Sequence, residues 1–406
     1  MNNINDEEEK VNTCTSCGMC SAICPKNAIN MEINKYGFYR PIINKNKCIN
    51  CGLCKKVCYK YDIENEKKEI NPDVYAAYSK DEEILKTSTS GGIATIIAKE
   101  LLKLNYAIVG VKYDLTRNIA ISKIIKSEKE LDDLKGSKYI QSYTHDAFME
   151  MINDKTSQKY VVFGLPCHIY SVRKYMKIKE NRNKYVLIDL FCHGCPSMNL
   201  WQKYLKEINK KNKISDITKV NFRSKEKGWH EYCISIENKS KKYVSNSMDD
   251  FYTLFFSDLA LNDSCYNCTL RSSFTYTDIR LGDFWGEKYD TNTKGISALV
   301  LCTQKGKEIF EFIKDNIVYS EEKIDIVVEN QSFGKKYEID FKMRDLILEN
   351  LSNNKLSIKE ATKMYKNSLN LKQKIKRNIK EIFYLVPQKN RLYIKKIYHK
   401  IKKGIN

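Results

Sequence analysis

The sequence predicts a mixed α+β and α/β protein in three parts: a small cysteine-rich module over 1–70, a larger mixed α/β domain over 72–320, and a helical basic extension over 321–406. Three observations lead there. Eight of the fifteen cysteines fall between Cys14 and Cys58. From about residue 72, short apolar runs alternate with amphipathic helical stretches, the pattern of α/β architecture. From Leu371 onward, twelve Lys or Arg accompany a single acid, Glu381. At 406 residues the chain has room for two or three domains and a substantial core.

The composition narrows the class. Hydrophobic residues at 42% and charged residues at 30% are ordinary for a soluble globular chain. The acidic, polar start MNNINDEEEKVN lacks the apolar segment of a signal peptide. No run approaches the roughly 18 apolar residues of a membrane span. A cytoplasmic protein is therefore expected, and its cysteines read as metal ligands rather than a secreted disulfide framework. The formal charge of +20 overstates the true value, because each 4Fe–4S core bound by four thiolates removes about two charges. A basic balance fits nucleic acid, a membrane surface or an acidic partner. Abundant Lys, Asn and Ile also fit the coding bias of an AT-rich genome.

In the module, Cys14-x2-Cys17-x2-Cys20-x3-Cys24-Pro25 is followed by Cys48-x2-Cys51-x2-Cys54-x3-Cys58. This is the bacterial ferredoxin run written twice. Two-residue gaps let three cysteines wrap one face of a cubane, while the fourth ligates the other cluster. The pattern predicts one cluster on Cys14, Cys17, Cys20 and Cys58, and a second on Cys48, Cys51, Cys54 and Cys24. Gly18 and Gly52 supply the turns around the metal. Tyr59 stands where the pattern usually has proline, a minor departure because that proline is no ligand. Ala28-Ile29, Phe38-Tyr39 and Ile42-Ile43 predict a hairpin around Gly37. The rival reading is a pair of zinc knuckles; the second two-residue step and the x3-Cys-Pro ending favour clusters.

In the central domain the sequence predicts a helix over 93–104 and strands over 106–111, 160–163, 185–190, 278–281 and 298–302, in mixed directions. Two strands lead into cysteine loops, Gly164-Leu165-Pro166-Cys167-His168 and Phe191-Cys192-His193-Gly194-Cys195-Pro196. Ligands commonly bind at such strand ends. With Cys265-x2-Cys268 downstream, Cys167, Cys192, Cys265 and Cys268 are candidates for a third 4Fe–4S cluster, and Cys195 is an alternative ligand. Cys233 and Cys302 read as small buried hydrophobes on strands. Thr87-Ser88-Thr89-Ser90-Gly91-Gly92 precedes the first helix and reads either as a phosphate cradle or as an ordinary cap and turn.

In this order, Thr89-Ser90-Gly91-Gly92, Gly136-Ser137-Lys138-Tyr139, Gly164-Leu165-Pro166-Cys167, Cys192-His193-Gly194, Phe222-Arg223, Gly228-Trp229, Cys265-x2-Cys268 and Gly282-Asp283-Phe284-Trp285-Gly286 resemble the family of beta subunits of coenzyme F420 hydrogenases and dehydrogenases, over about residues 72–310. The resemblance implies a flavoprotein fold with FAD beside a 4Fe–4S cluster, often joined to a ferredoxin module. It implies Cys167, Cys192, Cys265 and Cys268 as ligands, and Ser90, Gly91, Gly92, Ser137, Lys138 and Tyr139 as contributors to the flavin pocket. His168 stands where the family usually shows Gln, and Cys195 where it shows an aliphatic residue. Some family members use coenzyme F420; others look associated with surface-polysaccharide gene sets.

The tail places Ile394, Ile397, Tyr398 and Ile401 on one helical face among Lys395, Lys396, Lys400, Lys402 and Lys403. Such a helix either rests on an anionic surface, making the protein peripheral at the inner membrane face, or packs on its own protein. Nucleic acid is disfavoured because no binding motif accompanies the charge. The expected function is an oxidoreductase. An electron donor or partner redox subunit would feed the clusters, and FAD would serve a small-molecule acceptor, coenzyme F420 or another. His168 and His193 are candidate general acids or structural histidines. The rivals are an electron-transfer subunit without a substrate, and a structural or assembly protein of a polysaccharide system.

Overall fold

The computed structural model describes residues 2–4, 13–61, 70–246, 248–387 and 390–394. In the module, β1 (Ile29–Ile33) and β2 (Tyr39–Ile43) pair antiparallel as the expected hairpin around Gly37. Each cysteine run turns into a single helical turn, Met19–Ala22 and Leu53–Lys56, entered through Gly18 and Gly52 at φ +75° and +76°. Only glycine adopts that conformation cheaply. A Cβ on Gly18 would also stand 2.2 Å from Thr144 Oγ1, because the module lies directly against the next domain.

That domain carries β3 (Asp73–Ser79), β4 (Tyr106–Asp114), β5 (Ile119–Ile125), β6 (Ser142–Tyr143), β7 (Lys159–Gly164) and β8 (Tyr185–Leu190). It continues with β9 (Lys219–Ser224), β10 (Cys233–Glu237), β11 (Lys242–Val244), β12 (Ile279–Asp283), β13 (Ser297–Leu301) and β14 (Ile317–Glu321). Nine strands form one sheet in the order β14-β3-β13-β12-β8-β7-β4-β5-β6, and β11-β10-β9 form a second. Neighbours in the run β12-β8-β7-β4 are parallel; β13, β3 and β14 on one side and β5 on the other join antiparallel. Directions are mixed, as expected.

Parallel strands covered on both faces read as continuous apolar runs, and Tyr160-Val161-Val162 and Val186-Leu187-Ile188 are buried throughout. On one face, Ile93, Ile96, Ile97 and Leu101 of the helix Ile93–Lys103 pack on Ile108, Val161, Val186 and Leu299. On the other, Ile169, Val172 and Met176 of the helix Pro166–Lys179 meet Val109, Val162 and Leu187, joined by Met19, Ile23 and Val57 of the module. The module thus shares the core of the large sheet. Cys233 and Cys302 are buried in packing positions, the hydrophobe role expected of them. The helices Met198–Asn212, Asp250–Phe255, Phe341–Ser352 and Ile358–Ser368 enclose a separate core with the small sheet around Trp201, Phe222 and Phe251. Among the described residues, no helix is long and apolar enough to cross a membrane.

Candidate functional site

The structure gathers the module's cysteines into the two crossed sets. Cys24, from the first run, lines one pocket with Cys48, Cys51 and Cys54 of the second, together with Asn3, Asn50 and Gly52. Cys14, Cys17 and Cys58 lie around Cys20: burial and then these neighbouring thiols hold the Cys20 thiol well above its ordinary value. Cys54 also acts on Cys20, so the two sets adjoin. Burial followed by Cys14 and Cys17 pushes Cys58 up to about 12. Crowded thiols resist ionising together, and iron reverses that logic by binding the thiolates outright. Cys51 is exposed, which brings the second set to the surface.

A third cavity opens where β7 and β8 end side by side. The chain leaves β7 through Gly164 into the Pro166–Lys179 helix, whose first turn carries Cys167; Pro166 suits that first position because no partner awaits its missing N–H. It leaves β8 at Leu190 and reaches Cys192 two residues later. Cys265 lies in the short helix Asp263–Tyr266, capped by Asn262, with Cys268 beyond it. Cys167, Cys192, Cys195, Cys265 and Cys268 all line the cavity, as do His168 and Arg271. Burial, then the neighbouring thiols, pushes Cys192 to about 12 and Cys167 well above its usual value. The Cys195 backbone N–H donates to Cys265 Sγ at 3.3 Å.

Two features favour an anionic occupant bound by thiolates. Arg271 is 4% exposed and donates through Nη2 to the Cys265 carbonyl at 2.6 Å, while its Nε is buried without a hydrogen-bond partner. A buried unpaired cation is costly, and a 4Fe–4S core on four thiolates carries a net negative charge. The cavity wall carries the four thiols that a 4Fe–4S core takes, and one more. His168 is held at about 4 by burial, so it is neutral at physiological pH. His193 lies outside the cavity, its Nε2 2.8 Å from Asp258 Oδ1, as a structural histidine would be.

The third cavity borders the module. Thr15 and Ser16, between Cys14 and Cys17, form part of its wall. Asn262 Nδ2 donates to Ser16 Oγ at 3.1 Å, and Arg40 of β2 donates to Asn262 Oδ1 at 3.2 Å. Gln141 accepts from the Tyr39 N–H and donates to the Gly37 carbonyl. Tyr59 gains a role that the sequence did not disclose. Its hydroxyl accepts from Thr269 N–H at 3.0 Å and lies 2.8 Å from Thr269 Oγ1, tying the residue after Cys58 to the residue after Cys268.

The six residues expected around a flavin fall on two segments that touch. Ser137 N–H donates to Thr89 Oγ1 at 2.9 Å. Ser90 Oγ donates to the Ile296 carbonyl, and Gly91 N–H to Ser297 Oγ. A Cβ on Gly91 would stand 2.3 Å from the Ala77 carbonyl, so close backbone packing alone requires glycine there. The following helix begins at Gly92 with no side-chain cap, and Ser88 Oγ beside it is buried and unpartnered. The ordinary Ser/Thr cap is thus not what this loop forms. Lys138 Nζ donates to the Leu134 and Lys135 carbonyls, and burial lowers its pKa to about 7. Tyr139 packs edge-on against Phe255 and Tyr252.

The remaining motifs converge next to Tyr139. Arg223 of β9 lies 4.0 Å from the centre of the Tyr232 ring and donates through Nη2 to the Trp229 carbonyl, with Asp283 at 3.7 Å. Its Nε and Nη1 are buried without hydrogen-bond partners. Trp229 stacks on Trp285 and donates to Asp283 Oδ1 at 2.7 Å.

Comparison with known proteins bears directly on this arrangement. Residues 74–148 match the amino-terminal family model of the coenzyme F420 hydrogenase/dehydrogenase beta subunit, and residues 157–326 match the carboxyl-terminal model of the same family. The chain belongs to this family. Residues 13–61 match the 4Fe–4S dicluster domain, so the family domain here follows a two-cluster iron–sulfur module. The chain is 24% identical over 326 residues to one component, designated F, of the F(420)H(2) dehydrogenase of Methanosarcina mazei, covering 76% of this chain and 84% of that protein. Among solved structures it aligns with a chain of the F420-reducing nickel–iron hydrogenase complex from Methanosarcina barkeri, at 16% identity and a TM-score of 0.43, over 73% of this chain and 90% of that one.

Proposed function

We propose that this member of the family of coenzyme F420 hydrogenase/dehydrogenase beta subunits is an iron–sulfur flavoprotein oxidoreductase. In this reading Cys24, Cys48, Cys51 and Cys54 hold the outermost 4Fe–4S cluster, and Cys14, Cys17, Cys20 and Cys58 the next. Cys167, Cys192, Cys265 and Cys268 hold a third. The observation that carries the reading is the continuity of these sets: the third cavity is walled by the loop between Cys14 and Cys17 and stitched to the module through Tyr59, Arg40 and Asn262. When bound, the clusters carry single electrons and FAD couples them to two-electron chemistry on an organic acceptor, coenzyme F420 or another small molecule.

For FAD we propose the place where residues 88–92 and 136–139 meet. The uncapped start of the Ile93–Lys103 helix and the unpartnered Ser88 Oγ suit a phosphate there. The two free nitrogens of Arg223, beside Tyr139, offer donors. This protein's own contribution is placement: it keeps His168 neutral beside the third cysteine set. Cys51, exposed at the module surface, suits exchange with a redox partner subunit.

A second reading, an electron-transfer subunit without a substrate of its own, is favoured by one observation: Gly91 and Lys138 both have structural reasons to be where they are. Iron and released flavin per chain, after strictly anaerobic purification, separate the two. The flavoenzyme requires about twelve irons and about one FAD. About eight irons and no flavin, even with FAD supplied, would leave only the module's relay.

A further inference from the structure

The helix Leu371–Leu385 is built the wrong way round for a helix that serves its own protein. It starts cleanly, with a reciprocal pair in which Gln373 N–H donates to Asn370 Oδ1 and Asn370 N–H donates to Gln373 Oε1, both at 2.9 Å. Yet none of its residues is buried. A surface helix normally turns its apolar stripe toward the core. Here the anchored side is the one that carries Arg377, Glu381 and the half-buried Tyr384. Arg377 donates through Nη2 to Thr253 Oγ1 at 3.2 Å and pairs with Glu381 at 2.9 Å, while Arg391, just beyond, forms an ion pair with Glu231 and lies against Tyr384.

The apolar stripe faces solvent. Leu371, Ile375, Ile379, Ile382 and Leu385 are 74%, 51%, 63%, 63% and 84% exposed. Their spacing of three and four residues places them on one side of the helix, with Lys372, Lys374 and Lys376 along its edges. The helix has only one acid, Glu381, already paired with Arg377. The residues that follow, 395–406, lie outside the described part of the chain and contribute five more lysines and no acid.

We propose that this helix is a peripheral membrane anchor, lying flat on an anionic lipid surface with the stripe from Leu371 to Leu385 among the acyl chains. Large aliphatic residues flanked by lysines are what such an interface holds: the stripe enters the apolar boundary while lysine stems reach back to the phosphates. A second copy would set the same lysines against one another. The anchor is independent of whether FAD binds, since no residue of the cofactor sites takes part.

The test is sedimentation of the anaerobically purified full chain with lipid vesicles. The chain should pellet with phosphatidylcholine–phosphatidylglycerol vesicles, release at high salt, and stay in solution with phosphatidylcholine alone. The triple variant Ile375→Ser, Ile379→Ser, Ile382→Ser should bind about a hundredfold more weakly, three apolar side chains being lost from the boundary. The double variant Lys372→Glu, Lys376→Glu should lose about tenfold or more, each lysine near an anionic surface contributing about a fivefold factor. All five positions are surface ones, so unchanged iron content and circular dichroism serve as the folding control. Failure of the wild type to pellet, or equal binding to both vesicle types, overturns the proposal. So does a dimer in light scattering that the triple variant dissolves without any vesicle binding, because the stripe would then belong to a second copy.

Discussion

Replacing Arg271 by Gln should lower the reduction potential of the proposed third cluster. The guanidinium lies on the wall of the third cysteine cavity, hydrogen-bonded to the Cys265 carbonyl and 4.6 Å from the centre of the Tyr337 ring. Its charge already draws the Cys192 and Cys265 thiols toward ionisation, against the larger opposing effect of burial. Reduction adds an electron to the same site, so a nearby positive charge favours the reduced state, and its loss must disfavour it. A unit charge acting across about 8–16 Å at an effective dielectric of about 20 is worth about 1–2 kcal/mol. For a one-electron couple that corresponds to about 40–90 mV. Redox titration monitored by electron paramagnetic resonance reads the shift, with the module's two clusters as internal references. Arg271→Lys keeps the charge and should stay within about 20 mV of the wild type. A third signal that is present in the Gln variant but unmoved, or moved upward, would refute the electrostatic argument. Absence of a third signal in the wild type would instead refute the cluster itself.

Cys24→Ala should empty the second cluster and leave the first, removing about four irons; loss of the first cluster's signal instead would overturn the crossed assignment. Tyr59→Phe deletes the acceptor for the Thr269 N–H and should weaken the module's seat on the domain by about 1–3 kcal/mol, read as faster hydrogen exchange at Thr269 with iron content unchanged. Asp249, held at about 6 mainly by burial, caps the Asp250–Phe255 helix through the Tyr252 N–H. Because its folded pKa lies above the unfolded one, its contribution is most favourable below about pH 4 and is lost as pH rises through 6, a swing of about 3 kcal/mol. Comparing the wild type with Asp249→Asn by thermal melting from pH 4 to 7 should show that slope only in the wild type.

The sequence was most legible where a single local pattern carries the chemistry. Two-residue cysteine gaps and a glycine at each turn leave little freedom, and Gly18 and Gly52 adopt the left-handed conformation that the turns require. The buried parallel strands were equally readable, because strands covered on both faces become unbroken apolar runs. The edge strand Ile317–Glu321 was not, since only Ile317 of its five residues is buried. The small sheet was legible only at Cys233, read as lying on a strand; Lys219–Ser224 mixes charge with Phe222, and its pairing with Cys233–Glu237 contains an irregularity. The tail's expected face, Ile394 to Ile401, falls almost wholly outside the described residues. The exposed stripe lies one helix earlier, on Leu371–Leu385.

What composition cannot carry is contact between segments far apart in the chain, and the site consists largely of such contacts. Tyr59 looked like a harmless substitution in a ligand motif, yet it holds Thr269, 210 residues away. Arg40, in a hairpin that seemed only to space two cysteine runs, reaches Asn262, the cap of the helix bearing Cys265. Buried polar groups must find partners, and in this chain they find them across the seam between module and domain. A surface seam would allow the module to swing away; one sealed by buried hydrogen bonds and by Met19, Ile23 and Val57 in the sheet's own core does not. The geometry therefore favours electron transfer through a permanent junction over delivery by a mobile carrier domain.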